Sequence, residues 1–366
     1  MASRAVVLEQ TGQHAVAASR RNIGLDVLRA TAISMVFLAH GVGLEGKPFV
    51  GEFGTGVDLF FVLSGFLIGR IYFRSSRKDA ATHFSLLGFW RARWWRTLPP
   101  YLVALAVYAA VRATVAPQQA PLDWHYLFFL QNYFGVPAFG PSWSLCVEEH
   151  FYLLLPLLAY AVERTLGREA FRWTLPVAFF VPLALRILTL SATGALPPFW
   201  FWMSHLHCEG MVEGLWLAYL FVERRQQFDR LKPVALALLP LIPLLLIVLP
   251  VWKRSPQVNV FVFTLLAVGY AAWLRVLYDL RWTPAGALGR FAYKAIQGLA
   301  LCAYSIYLTH TTFDQPIRMA LGEHMARGAA RTGLILAATL GIGVVFYFLV
   351  ERTSIQTRDR MLGHGR

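Results

Sequence analysis

Arg29 and His40 enclose ten residues without a charge, in the stretch RATAISMVFLAH. On a helix, eleven steps of about 100° return His40 to within about 20° of the face of Arg29, about 16 Å along the axis. A guanidinium suited to phosphate or carboxylate and an imidazole suited to proton transfer or nucleophilic attack then share one stripe. In a bilayer such a stripe must face protein or a water-filled cavity, because ionisable groups are costly in hydrocarbon.

Four further stretches carry candidate chemistry. GTGVDLFFVLSGFLIGR (54–70) places the Asp58 carboxylate near one end of an apolar segment and Ser64-Gly65 at its middle, a notch where helices approach closely. FWRARWWRTLPPYL (89–102) puts Arg93 and Arg96 three apart on one helical face, a bidentate grip for phosphate that competes with plain interfacial anchoring. In GPSWSLCVEEHFYLLLP (140–156), Pro141 breaks the preceding turn and Ser142 or Ser144 caps a helix. Glu148 and Glu149 then enter the membrane, and at least one faces a polar cavity fit for acid or base work. Cys146 reads as packing. In WMSHLHCEGMVEGLWL (202–217), His205, Glu209 and Glu213 form an i, i+4, i+8 stripe while His207 points elsewhere, which favours a polar cavity lining over a metal site. AYSIYLTH (303–310) ends a helix with Tyr304, Tyr307, Thr309 and His310, either aromatic anchors or substrate contacts.

The elements that position these residues follow from composition. Of 366 residues, 57% are hydrophobic and 15% charged, well below the roughly 25% charge of a soluble domain. The chain reads as all-α, one polytopic transmembrane bundle. Apolar windows recur at about 24–44, 53–73, 97–116, 143–162, 173–191, 199–221, 233–251, 257–278, 296–313 and 331–350, which predicts ten helices. The formal charge of +14 does not read as a nucleic-acid surface, since the basic residues fall in short clusters between apolar segments. With the N-terminus inside, 25 of the 34 Lys and Arg lie on the cytoplasmic side, which predicts both termini in the cytoplasm. Residues 1–20 lack the apolar core of a signal peptide and are read as a cytoplasmic tail, 21–351 as the membrane domain and 352–366 as a second tail. WHYLFFLQNYFGVP (124–137) reads as interfacial or re-entrant. Cys146, Cys208 and Cys302 offer neither a disulfide framework nor a structural metal site.

Taken in order, LDVLRATAISMVFLAH, GVDLFFVLSGFLIGR, RARWWR, PSWSLCVEEHFYLLLP and AYSIYLTH resemble the membrane-bound O-acyltransferases of acyltransferase family 3, which acylate bacterial surface polysaccharides, lipopolysaccharide sugars and, in some branches, antibiotics or lipids. The family's arginine, ten residues, histidine pattern maps onto Arg29 and His40, its paired arginines onto Arg93 and Arg96, and its tryptophan-serine-leucine, two residues, glutamate pattern onto Trp143, Ser144, Leu145 and Glu148. The resemblance implies acyl-CoA, most commonly acetyl-CoA, as donor, no permanently bound cofactor, and a carbohydrate or glycolipid acceptor. It further implies a multi-pass protein of the bacterial cytoplasmic membrane. On this reading His40 is the general base, oriented by Glu148, and Arg29, Arg93 and Arg96 hold the donor phosphates. Asp58, Ser64, Trp143, Glu149, His205, Glu209, Tyr304 and His310 contact substrate. Many members are Arg-rich where this chain has SHLHCEG, and no appended hydrolase-like domain is visible in the sequence. The competing reading is a transporter or flippase for a glycolipid or lipid-linked sugar. Transporters often carry internal repeats and broken helices in both halves, whereas the polar residues here cluster in spans one to four and six.

Overall fold

A computed structural model describes residues 21–40, 51–76, 84–116, 118, 122–252, 255–321 and 329–361. Every element among them is helical. Helix α1, Ile23–Ala39, starts at Asn22, whose side-chain oxygen accepts from the Leu25 N–H at 3.1 Å. Its first turn holds Asp26, favoured by the helix dipole and ion-paired to Arg21 at 2.5 Å and Arg29 at 3.3 Å. A 3₁₀ turn, Gly51–Thr55, leads into α2, Gly56–Ser75. The chain continues through α3, Leu86–Val115, α4, Ser142–Thr165, α5, Phe171–Thr193, and α6, Glu209–Glu223. Shorter pieces follow: α7, Arg225–Arg230, α8, Lys232–Ala237, α9, Leu241–Trp252, and α10, Pro256–Asn259. Helices α11, Val262–Leu277, α12, Gly286–Thr309, α13, Asp314–Leu321, and α14, Ala329–Phe346, complete the bundle; α14 runs through a π-helical turn, Tyr347–Glu351, into α15, Arg352–Met361.

Helix α2 is the axis. Of its apolar window 72% is buried, against 22% for α3 and for the α5 segment. It packs on α6 so closely that a Cβ on Gly65 would lie 2.0 Å from the Met211 carbonyl oxygen, and one on Gly214 would lie 2.1 Å from that of Val62. Glycine is therefore required on both faces, and the notch at Gly65 is a packing device. The peripheral helices turn apolar side chains outward, among them Leu153, Leu157 and Leu158 on α4 and Trp173, Val177 and Leu188 on α5. An apolar exterior around a core holding Asp58, Arg186 and Glu209 is the arrangement of a membrane bundle. Pro156 interrupts α4 and cannot bond the Tyr152 carbonyl one turn back, so the indole N–H of Trp90 on α3 donates to it at 3.2 Å.

Among the described residues, six helices are long and apolar enough to cross a membrane, or seven if the pair Arg225–Ala237 and Leu241–Val251, bent by 51°, is one span. Each of the ten predicted windows holds helix, but α1 has 17 residues, α6 has 15, and α12 carries Arg290, Lys294 and Gln297 in its first half. The sixth window is not one continuous helix. Phe199 takes a left-handed φ of 60°, and Trp200–Trp202 and Ser204–Leu206 form separate 3₁₀ turns before α6 begins at Glu209.

The aromatic stretch after α3 forms two 3₁₀ turns, Trp124–Leu127 and Gln131–Tyr133, and buries Tyr126, Phe129, Gln131 and Asn132 while leaving Trp124, Leu127, Phe128 and Phe134 exposed. The buried Asn132 amide donates to the carbonyls of Trp143 (2.8 Å) and Trp202 (2.6 Å), which ties two tryptophan-bearing segments together. Beyond α11, burial alone would raise the pKa of Asp279. Its hydrogen bond to Arg275 at 2.8 Å and its ion pair with Lys232 at 3.3 Å outweigh that and hold the carboxyl below its ordinary range. Residues 1–20, 45–50 and 362–366 lie outside the described residues, whereas most of the predicted second tail, Arg352–Met361, is helical.

Candidate functional site

Two cavities lie against α1, α2, α4 and α12, and their linings divide most of the candidate residues between them. The first, about 610 Å³, is lined by the guanidiniums of Arg21, Arg29, Arg70, Arg74, Arg93, Arg96 and Arg358, and by Ser64, Thr97, Ser144, Glu148, Tyr152, Tyr304 and Glu351. The second, about 660 Å³, is lined by His40, His310, Asp58, His207 and Glu52 among the rings of Trp143, Trp200, Phe201, Trp202 and Phe263. Val57 and Tyr307 line both and form their common wall. Both volumes lie in the range of small-molecule sites.

Seven arginines and two glutamates line the arginine cavity; Arg21 and Arg29 are ion-paired to Asp26, and Arg358 to Asp359. Arg29 is oriented by the fully buried Asp26, and Arg70 lies over the rings of Phe66, Phe221 and Tyr278. Guanidiniums fixed in this way without a carboxylate for each are suited to a polyanionic ligand. Glu148 is committed elsewhere than expected: its Oε1 accepts from Ser64 Oγ at 3.1 Å and its Oε2 from the Tyr152 hydroxyl at 3.0 Å. The expected hydrogen bond to His40 is not made, because Glu148 lies one turn deeper along α4 than Ser144, on the arginine side of the Tyr307 wall. Glu149 also departs from expectation. It is buried, accepts from Thr97 Oγ1 at 2.8 Å and lines neither cavity. Tyr304 donates to the Thr97 carbonyl at 3.0 Å, so Thr97 joins α3, α4 and α12 beside Arg93 and Arg96. Neither Ser142 nor Ser144 caps α4; Ser142 donates to the Phe139 carbonyl, and Ser144 Oγ meets the Tyr307 hydroxyl at 2.5 Å.

The second cavity holds its imidazoles in defined tautomers. His40 ends α1 with Nδ1 3.0 Å from the Val36 carbonyl oxygen. A carbonyl only accepts, so Nδ1 carries hydrogen and Nε2 presents a lone pair. His310 follows the same logic, with Nδ1 2.7 Å from the Tyr307 carbonyl oxygen and Nε2 buried without a partner. The two rings meet edge to face with centroids 5.0 Å apart. His207 lies between Phe263 and Trp143, stacked at 3.5 Å and 5.6 Å. Its Nδ1 is 2.6 Å from the Phe201 carbonyl oxygen and its Nε2 2.8 Å from Asp58 Oδ1. With Nδ1 donating, the Asp58–His207 contact contains a proton, as imidazolium with carboxylate or as imidazole with carboxylic acid.

The predicted stripe of His205, Glu209 and Glu213 does not form, because His205 precedes α6. His205 meets the Tyr133 hydroxyl at 3.3 Å and lines neither cavity. Glu209 is ion-paired to the fully buried Arg186 at 2.6 Å, and Arg186 also donates to the carbonyls of Val260 and Leu206. That clamp fixes the segment carrying His207, the one member of the group first set aside. Among the described residues no group of three or more His, Cys, Asp or Glu side chains is placed to hold a metal ion.

A family model described as an acyltransferase domain, family 3, matches residues 22–349. The chain belongs to that acyltransferase family. It is 32% identical over 192 residues to the O-acetyltransferase OatA of Staphylococcus aureus strain NCTC 8325 / PS 47, covering 47% of this chain and 30% of that protein. A putative O-acetyltransferase of S. aureus strain COL is 30% identical over 162 residues, 40% of this chain and 26% of the relative. The chain thus matches under a third of the length of either relative. No solved structure gives a significant match. The family's recurring positions are split by the fold: Arg29, Arg93, Arg96, Ser144 and Glu148 line the arginine cavity, and His40 and Trp143 the aromatic one.

Arg21, Arg70, Arg74, Arg358 and Glu351 escaped sequence reading as site residues. The four arginines lie near helix ends, where cationic residues are ordinarily interfacial anchors, Glu351 lies in the π-helical turn, and only their convergence on one cavity distinguishes them.

Proposed function

We propose that this protein is an integral-membrane O-acyltransferase that moves an acyl group, acetyl in the simplest case, from acyl-CoA to a hydroxyl of a carbohydrate acceptor. The observation that carries this reading is the common wall of two chemically opposite cavities, at Val57 and Tyr307. One offers guanidiniums, the natural ligands of the donor's phosphates. The other offers imidazole Nε2 lone pairs among aromatic rings, which suit the apolar faces of a sugar. Arg29, Arg93 and Arg96 hold the donor, and the thioester is directed at the Tyr307 wall. His40 works through Nε2, as base on the acceptor hydroxyl or as acyl carrier. Glu148, through Ser64 and Tyr152, shapes the donor end and does not orient His40.

The orientation that fits is the arginine cavity toward the cytoplasm of a bacterial cell, where acyl-CoA is made, with both termini on that side. The family match and the OatA-like relatives support O-acetyl transfer as the reaction class. Incubation of the purified full chain with radiolabelled acetyl-CoA and a pool of cell-envelope glycans tests the reading. Label appearing on glycan with release of CoA is the expected result. Glycolipid flux in proteoliposomes that needs no CoA, with no label transferred, contradicts it and favours the transporter.

A further inference from the structure

Of the three imidazoles that line the aromatic cavity, His207 is engaged by Asp58, which leaves two, His40 and His310, where acyl transfer by simple base catalysis needs one. His40 and His310 each give the Nδ1 hydrogen to a backbone carbonyl, of Val36 and Tyr307 respectively. Each therefore turns an Nε2 lone pair away from its helix, and their rings are in edge-to-face contact. His310 is 6% exposed, lines the cavity, and its Nε2 is a buried polar atom with no hydrogen-bond partner. A buried nitrogen left unpaired is destabilising, and a visiting hydroxyl would relieve that cost. Tyr307, whose carbonyl fixes His310, is also the residue that separates the cavity from the donor side.

We propose that the two imidazoles divide the reaction: His40 carries the acyl group, and His310 is the catalytic base for the accepting hydroxyl. The inference rests on the acyl-CoA reading above. In the first step His40 Nε2 attacks the thioester carbonyl, the C–N bond forms, the C–S bond breaks, and CoA leaves as thiolate. The positive charge of the acyl-imidazolium is spread to Nδ1–H, which the Val36 carbonyl accepts. In the second step the acceptor O–H gives its proton to His310 Nε2 as its oxygen attacks the acyl carbon. The C–N bond breaks, neutral His40 is restored, and His310 releases its proton to solvent. No further reactant is needed.

Purified full chain with radiolabelled acetyl-CoA alone, water serving as the accepting hydroxyl, tests the division. The variants are His310→Asn, whose amide N–H replaces Nδ1–H toward Tyr307 while Nε2 is lost, and His40→Gln. Wild type and His310→Asn should both acquire protein-bound acetyl. Its lifetime should be about 100-fold longer in the variant, the scale of a lost general base. Neutral hydroxylamine, which needs no base, should strip both at similar rates, and His40→Gln should acquire none. Equal lifetimes overturn the proposal, as does bound acetyl in His40→Gln, CoA release by wild type without bound acetyl, or loss of labelling in His310→Asn that folds normally. If His310→Asn does not fold, His310→Gln is read by the same criteria. Failure of the underlying reading looks different: wild type neither binds acetyl-CoA nor releases CoA.

Discussion

The two cavities differ in how they tolerate polar groups inside an apolar bundle. The arginine cavity keeps cations in excess: seven arginines, several propped by aromatic rings or paired with Asp26 or Asp359, line it with Glu148 and Glu351. The aromatic cavity neutralises what it buries, pairing Asp58 with His207 and setting the His40 and His310 tautomers through backbone carbonyls. An excess of fixed charge suits a charged ligand that arrives and leaves; locked neutral donors and acceptors suit bond making. On the proposed reading, donor binding belongs to one cavity and proton and acyl movement to the other, and substitutions on either side of Tyr307 should separate the two.

His40→Ala should produce the largest effect, a loss of acetyl transfer of at least about 10³-fold if Nε2 is base or carrier, in protein whose thermal stability matches wild type. Radiolabel transfer checks this. Next, Arg93→Ala or Arg96→Ala should each weaken acetyl-CoA binding by about 10- to 100-fold, the range of a lost charge-assisted hydrogen bond of about 1.5–3 kcal/mol. Equilibrium binding by calorimetry reads this directly. Asp58→Asn keeps a hydrogen-bonding partner for His207 but removes the carboxylate, and should raise the acceptor KM about tenfold while the donor Kd stays constant.

The smallest effect is expected outside both cavities, at Asp279→Asn. That carboxyl is held below its ordinary range, so its contribution is present above the unfolded-state value near 4 and is lost as pH falls through the lower folded value. The variant should lose about 1 kcal/mol at pH 7, since Asp279 is itself partly exposed and the buried Arg275 keeps Asp229 as a second carboxylate, and the gap should close toward pH 3. Neither cavity's ligand affinity should change. Thermal unfolding across that range, beside donor binding at pH 7, checks both statements.

Much of this division was legible in the sequence. The uncharged run from Arg29 to His40 predicts one helix carrying both groups, and α1 keeps it, with Arg29 in its first half and His40 as its C-cap. The three-residue spacing of Arg93 and Arg96 placed both guanidiniums in one cavity. The partner of Glu148 was harder: Tyr152 is four residues on and locally readable, but Ser64 comes from α2 and depends on tertiary packing. The stripe from His205 to Glu213 failed because helical periodicity was extended across Phe199–Leu206, where a left-handed residue and two 3₁₀ turns reset the register. Pro197-Pro198 marked a break there, and a helix beginning after it leaves His207 free to reach Asp58. Arg358 was hidden by its position in a stretch read as tail, which the π-helical turn carries on as helix beside α3.

The separation of donor binding from chemistry is tested most directly by the affinity of acetyl-CoA for two variants of the full chain, His40→Gln and the double variant Arg93→Ala/Arg96→Ala. His40→Gln should bind acetyl-CoA within about threefold of wild type, under about 1 kcal/mol, while transferring no acetyl group, and the double arginine variant should show no measurable binding. Loss of binding in His40→Gln with binding retained in the double variant would contradict the assignment of the two cavities.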